Sequence, residues 1–169
     1  TVDGSGQEGT ITLNQVLNDV LPAFVKLREQ GKAKYLGFTA KGNTAFLHKM
    51  VETQEFHSSQ VFYNLLIPSA GEPIQKGFPG QDYKNLLTSC SDRGVGTIGV
   101  RILAGGALSG SEKRHPLGMP YVAPIGSGDD YKSDVKRSLL FNSIIENQYA
   151  KSLTELAVRY GITKDTIST

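Results

Sequence analysis

Leu27-Arg28-Glu29-Gln30-Gly31-Lys32-Ala33-Lys34-Tyr35-Leu36-Gly37-Phe38-Thr39 carries two periodicities, one on each side of a single glycine. Before it, Leu13, Val16, Leu17, Val20, Leu21, Phe24 and Leu27 recur at helical spacing, which gives that segment one apolar face. After it, residues 35–39 form a short apolar run with the length of a buried strand. Gly31 stands where a helix ends on a left-handed residue. Upstream, Thr12 and Gln15 have capping-box spacing, in which each side chain satisfies the other's orphan amide. Pro22 falls inside the helical pattern. It should kink the helix or begin a second one, because it brings no N–H and its ring crowds the turn before it.

The same unit recurs downstream. Asn43 or Thr44 can cap a helix that carries Phe46, Leu47, Met50 and Val51 on one side. Gln60-Val61-Phe62-Tyr63-Asn64 reads as the second strand. A long loop, 65–81, follows it, and loops of that length in compact domains are usually functional or disordered. Asp82 is expected to cap a helix through Leu86, Leu87 and Cys90 that Gly94 stops. Thr97-Ile98-Gly99-Val100-Arg101-Ile102-Leu103 reads as the third strand, and loop 104–130 follows. A helix with Val135, Leu139, Leu140, Ile144 and Ile145 comes next, capped from Asp129-Asp130. Ser152 and Glu155 have capping-box spacing ahead of Leu153, Leu156, Ala157 and Tyr160. Residues 166–169 read as the start of a fourth strand.

Strict alternation of helix and strand predicts an α/β fold with about four parallel strands, flanking helices and right-handed crossovers. Two architectures satisfy it, the doubly wound open sheet and the β/α barrel, and periodicity alone does not choose between them. The 169 residues suit one domain, 1–169. They fall short of the roughly 250 residues of a complete eight-stranded barrel.

A net charge of +2 gives no electrostatic bias toward nucleic acid or membrane. The basic cluster at 26–34 reads as a solvated helix end, where cations suit the dipole. No apolar run is long enough for a membrane span. With Cys90 as the only cysteine no internal disulfide forms, which fits a reducing, cytoplasmic setting. Cys90 itself reads as a small buried apolar residue. His48, His57 and His115 lack the spacing of a metal site, so no metal is expected. Tyr63 reads as structural and not as an acid catalyst.

Three segments together resemble the aldo/keto reductase family: the opening stretch through Thr39, Gln60-Val61-Phe62-Tyr63-Asn64, and Arg93-Gly94-Val95-Gly96-Thr97-Ile98-Gly99 leading into Leu103-Ala104-Gly105-Gly106-Ala107-Leu108-Ser109-Gly110. They are similar to that family's fifth, sixth and seventh barrel strands, in order. The resemblance implies a partial TIM-type barrel, the C-terminal half, in an enzyme that reduces carbonyls with NADPH. It places the cofactor across the C-terminal ends of the strands. Thr39-Ala40 stands where the family has the Ser-Asn that holds the nicotinamide carboxamide, and Gln60 matches a glutamine that binds the same group. Val100 replaces a stacking aromatic. Leu103, Gly105 and Gly106 match the loop that approaches the pyrophosphate, a role glycine suits because no side chain blocks the phosphate. Arg101 is expected either to clamp a phosphate or to pair with Glu112, Asp129 or Asp130. The family's Asp, Tyr, Lys and His catalytic set would precede residue 1, so no residue here is expected to be catalytic, and the isolated chain is expected to be inactive. The partners implied are a missing N-terminal half or a second copy in a homodimer, and a small carbonyl substrate. The alternative is an autonomous, non-catalytic half-barrel that dimerises and binds a nucleotide or an anion.

Overall fold

Thr12 Oγ1 accepts from the Gln15 amide while the Gln15 side chain accepts from the Thr12 amide, so the expected capping box opens the first helix, α1 (Leu13–Gln15). The helix does not run on in regular α geometry. A π-helical stretch (Val16–Val20) intervenes, and α2 (Leu21–Glu29) restarts with Pro22 in its first turn. The proline, lacking an N–H, sits where a helix needs none. The Gly31 amide donates to the Arg28 carbonyl and the Lys32 amide to that of Leu27, at a Gly31 φ of 71°, so the chain leaves α2 through the expected left-handed stop.

The structure is a computed structural model that describes residues 1–3 and 8–169; residues 1–9 read from the sequence as a loop, and 4–7 of them lie outside this description. Strand β1 (Gly37–Thr39) leads to α3 (Thr44–Glu52), capped by Asn43, whose Oδ1 accepts from the Ala45 and Phe46 amides. Strand β2 (Ser58–Phe62) is followed by the 63–85 loop and α4 (Leu86–Ser91), then β3 (Gly96–Val100). A 3-10 segment (Ala104–Ser109), α5 (Tyr131–Leu139), α6 (Asn142–Glu146) and α7 (Leu153–Ile162) complete the described elements. No helix among the described residues is long and apolar enough to cross a membrane.

The sheet is parallel, ordered β1-β2-β3, and it is not closed. It has three strands where about four were expected. Residues 166–169 do lie along β3: the Ser168 amide donates to the Thr97 carbonyl at 2.9 Å and the Gly99 amide to the Thr169 carbonyl at 2.8 Å. The Ile167 amide, however, closes a turn onto Lys164, so the run of ladder bonds is too short for a strand.

Register assigns the two faces. Thr39, Gln60 and Ile98 are lateral partners, as are Phe38, Ser59 and Thr97. The second set faces the helices: Ser59, Val61 and Thr97 are fully buried, and Phe38 packs against both adjoining core clusters, with its ring edge-on to Phe56. The main core lies between this face and α3 and α4, around Leu47, Val51, Tyr83, Leu86, Leu87 and Cys90. The other face carries Gly37, Thr39, Ser58, Gln60, Phe62, Gly96, Ile98 and Val100, none of them fully buried, with Thr39 and Gln60 exposed.

Three local expectations are corrected. Asp82 does not cap α4; its Oδ1 accepts from Lys84, and Asn85 starts the helix in the left-handed region while the Leu87 amide donates to the Ala70 carbonyl. The helix expected from Val135 to Ile145 breaks at Leu140 and Phe141, whose amides make tight bonds to Arg137 and Ser138. Ser152 caps α7, but Glu155 reaches back to the Lys151 amide and not to that of Ser152, so only half of the capping box forms.

Candidate functional site

β1 and β2 bring Thr39 and Gln60 side by side at the C-terminal end of the open face. They are register partners, the Ala40 amide donates to the Gln60 carbonyl at 2.8 Å, and the Thr39 hydroxyl donates to Gln60 Oε1 at 2.9 Å. Ala40 is fully buried beneath them. On the far side of Gln60 the partner is Ile98, which offers no polar atom.

β3 ends at Val100, before the expected Leu103. Arg101 (φ 62°) turns the chain out of the sheet, so it stands just past the strand and is exposed. Two of its three expected carboxylate partners are engaged elsewhere: Glu112 approaches Lys132 at 3.9 Å, and Asp130 Oδ1 caps α5 through the Ser133 amide at 2.6 Å. Arg101 forms no ion pair among the described residues. The Ser133 amide and hydroxyl hold the Asp130 carboxyl below the usual range.

The turn after Leu103 needs its glycines. Ala104, Gly105 and Gly106 all have positive φ (49°, 68° and 107°), a run that side chains resist. A Cβ on Gly105 would fall 2.6 Å from Val122 Cγ1, and one on Gly106 would fall 3.2 Å from Tyr131 Oη. Gly105 is therefore required by the packing of loop 104–130 over the turn, and Gly106 chiefly by its φ. Arg114 fixes that loop: Nη1 donates to the Gly105 carbonyl at 3.0 Å, Nε to Met119 at 2.7 Å, and the guanidinium lies over the Tyr131 ring. The turn thus adjoins a pocket of about 360 Å³ lined by Arg114, Tyr121, Val122, Asp129, Tyr131 and Lys132.

Sequence reasoning did not single out two buried polar residues. Asn64 Oδ1 accepts from the Leu66 and Ile67 amides, and its Nδ2 donates to the Arg101 carbonyl at 2.9 Å, which ties the loop after β2 to the turn after β3. The available signal was an Asn at a strand end ahead of a proline, a turn-forming context. Asp134 is fully buried and accepts from the Ile125, Gly126 and Ser127 amides, at 2.5, 3.1 and 2.6 Å. Nothing local in the sequence marks it.

Tyr63 belongs to the opposite side of the sheet. It is buried, stacks on Tyr160 with centroids 4.9 Å apart, and donates to Glu72 Oε1. Burial pushes its phenol far above the ordinary value. His48 bridges the Tyr83 carbonyl and Ser89, and His57 Nδ1 accepts from the Leu36 amide. No three His, Cys, Asp or Glu side chains among the described residues converge as a metal site.

No curated protein matches the chain. The sequence model of the aldo/keto reductase family, by contrast, matches residues 8–169, nearly the whole length and including every strand end described above. The chain belongs to the aldo/keto reductase family.

Proposed function

We propose that this chain forms part of an NADPH-dependent reductase of carbonyl compounds, contributing residues that seat the cofactor and none that donates the proton. Family membership supports carbonyl reduction in general terms and a TIM-type β/α fold. The observation that carries the cofactor reading is the Thr39–Gln60 pair, a hydroxyl and an amide bonded to each other at the end of an uncovered sheet face. Such a pair can recognise a carboxamide through the spare amide donors of Gln60.

The fit is uneven along the cofactor. At the nicotinamide end Thr39 and Gln60 suit the carboxamide, while Val100 offers no ring to stack on it. At the phosphate end Leu103, Gly105 and Gly106 present backbone, and Arg101 stands exposed beside them. Val122 and Tyr131 already fill the space that the missing glycine side chains leave. NADPH, when bound, supplies the hydride; this chain's residues hold and orient it. Gly37, Thr39, Ser58, Gln60, Phe62, Gly96, Ile98 and Val100 make up the open face, and none of them titrates near neutrality. That composition supports inactivity of the chain alone. A fluorescence titration with NADPH tests the reading: saturable binding without carbonyl-dependent NADPH oxidation is expected, and no binding overturns it.

A second reading, an autonomous module that homodimerises, is favoured by one feature. A groove of about 540 Å³ lined by Ile102, Leu103, Val158, Ile162 and Ile167 runs between β3 and α7. Sedimentation of the chain distinguishes the readings, because a monomer at all concentrations excludes this one.

A further inference from the structure

We propose that the cavity between the 63–85 loop and the 104–130 loop binds a small neutral ligand, one apolar ring carrying a single hydrogen-bond acceptor that meets the Tyr83 hydroxyl. The cavity measures about 230 Å³, and Phe62, Ile67, Pro79, Tyr83, Pro124 and Ile125 form most of its wall. That is less than the roughly 300–1,000 Å³ of drug-sized pockets, so the occupant is limited to one ring with short substituents. No Lys, Arg, His, Asp or Glu lines it, so nothing there offsets the desolvation of a charged ligand.

Tyr83 sets this cavity apart. The residue is only 1% exposed, yet its hydroxyl makes no hydrogen bond among the described residues and is not sealed from solvent. The remaining exposure therefore lies at the hydroxyl, and the cavity is the space that Tyr83 lines. A phenol enclosed by apolar groups normally finds a partner. The rest of Tyr83 is fixed. Its amide donates to Ser69 Oγ at 3.1 Å, its carbonyl accepts from His48 Nε2 at 3.0 Å, and its ring stands edge-on to Phe62. Burial pushes the phenol up to about 12, so it keeps a proton to donate throughout the neutral range. Gln81, the other polar side chain in the wall, already spends its amide nitrogen on the Gly42 carbonyl and the Thr44 hydroxyl.

The walls are held in place without a ligand. Ser69 Oγ donates to the Gln81 carbonyl and so ties off one loop, while Asp134 gathers the amides of residues 125–127 in the other. Little ordering is then left to oppose binding. Phe62 ends β2 two residues beyond Gln60, so the cavity lies at the rim of the open face, and it shares no residue with the cofactor seat. Its occupancy does not depend on NADPH.

Acetophenone is the probe, and ethylbenzene, similar in shape but without the carbonyl, is the control. In NMR titrations of the 169-residue chain, acetophenone is expected to give saturable shifts at the Ile67 and Ile125 methyls and the Tyr83 ring, with intermolecular NOEs to that ring. In Y83F its affinity is expected to fall about fivefold, the worth of one net hydrogen bond, while that of ethylbenzene stays unchanged. Y83F removes a hydroxyl that bonds to nothing, so its unfolding free energy should not fall. Absence of saturable shifts at these residues overturns the proposal. Shifts confined to Ile102 and Ile162 also overturn it, because they place the probe in the groove beside α7. Unchanged acetophenone affinity in Y83F does so too. The NOEs are read on the wild-type chain and decide the location of the probe independently of the variant.

Discussion

Asp134 forms no ion pair among the described residues and is held by three consecutive backbone amides of residues 125–127. Its burial is tolerable because charge-assisted bonds replace its water shell, so deleting it strands buried donors that nothing else can reach. D134A should cost about 3 kcal/mol in urea unfolding, and D134N should cost less, because one oxygen remains to accept. Cys90 makes the opposite case, an ionisable group that burial keeps neutral. Its thiol is pushed from about 9 up to about 11 by desolvation, so the unfolded chain loses this proton first as pH rises. The contribution is intact below pH 9 and is lost progressively up to about pH 11, and by linkage it amounts to about 3 kcal/mol. Unfolding free energy measured across that window should fall less steeply in C90A than in wild type. At neutral pH a thiol reagent should label Cys90 only after denaturation. The sequence marked Cys90 as a buried apolar residue, since its helical neighbours are leucines, but it gave no sign of Asp134. A carboxylate in a first turn ordinarily signals solvent, and the partners that bury this one come from a loop whose path depends on the tertiary fold.

At the scale of elements the same contrast decides what could be read in advance. Helix ends were legible where the cap is local: Thr12 with Gln15, Asn43, Asp130 and Gly31 all sit within four residues of what they satisfy. They were not legible where a distant carbonyl does the work, as Ala70 does for the start of α4. The apolar pattern over residues 135–145 misled for a related reason. The buried side of α5 is Asp134, Val135 and Ser138, while Leu139 and Leu140 are exposed, because this helix serves a loop as well as a core. Asn64 shows how closely such connections couple the elements. Its side chain closes the turn after β2 and holds the Arg101 carbonyl after β3. N64A should therefore destabilise the chain by about 2–3 kcal/mol. Hydrogen exchange should quicken at 64–67 and in 101–108 together, whereas a purely local role would confine the change to the first segment.

At the scale of the molecule, the alternation of helix and strand was enough for a parallel α/β sheet, and resemblance along the chain was needed to name the family. The described helices that cover the sheet pack on one of its faces, which is how a barrel stave is covered and not how a doubly wound sheet is. The cost of that arrangement is apolar surface without a neighbour. Ile162 is 77% exposed and Val158 43% exposed, and both line the same groove as Ile102, Leu103 and Ile167. Contiguous apolar patches of this kind associate in water, and a two-fold pairing is the simplest closure because each copy offers the same groove. Sedimentation velocity of the 169-residue chain should accordingly show reversible association that strengthens with concentration. I162K places a charge at the most exposed point of the groove without touching the core, so it should give a monomer with unchanged unfolding free energy. If wild type and I162K sediment identically, the groove is not the contact, and the uncovered face around Gln60 becomes the surface to test next.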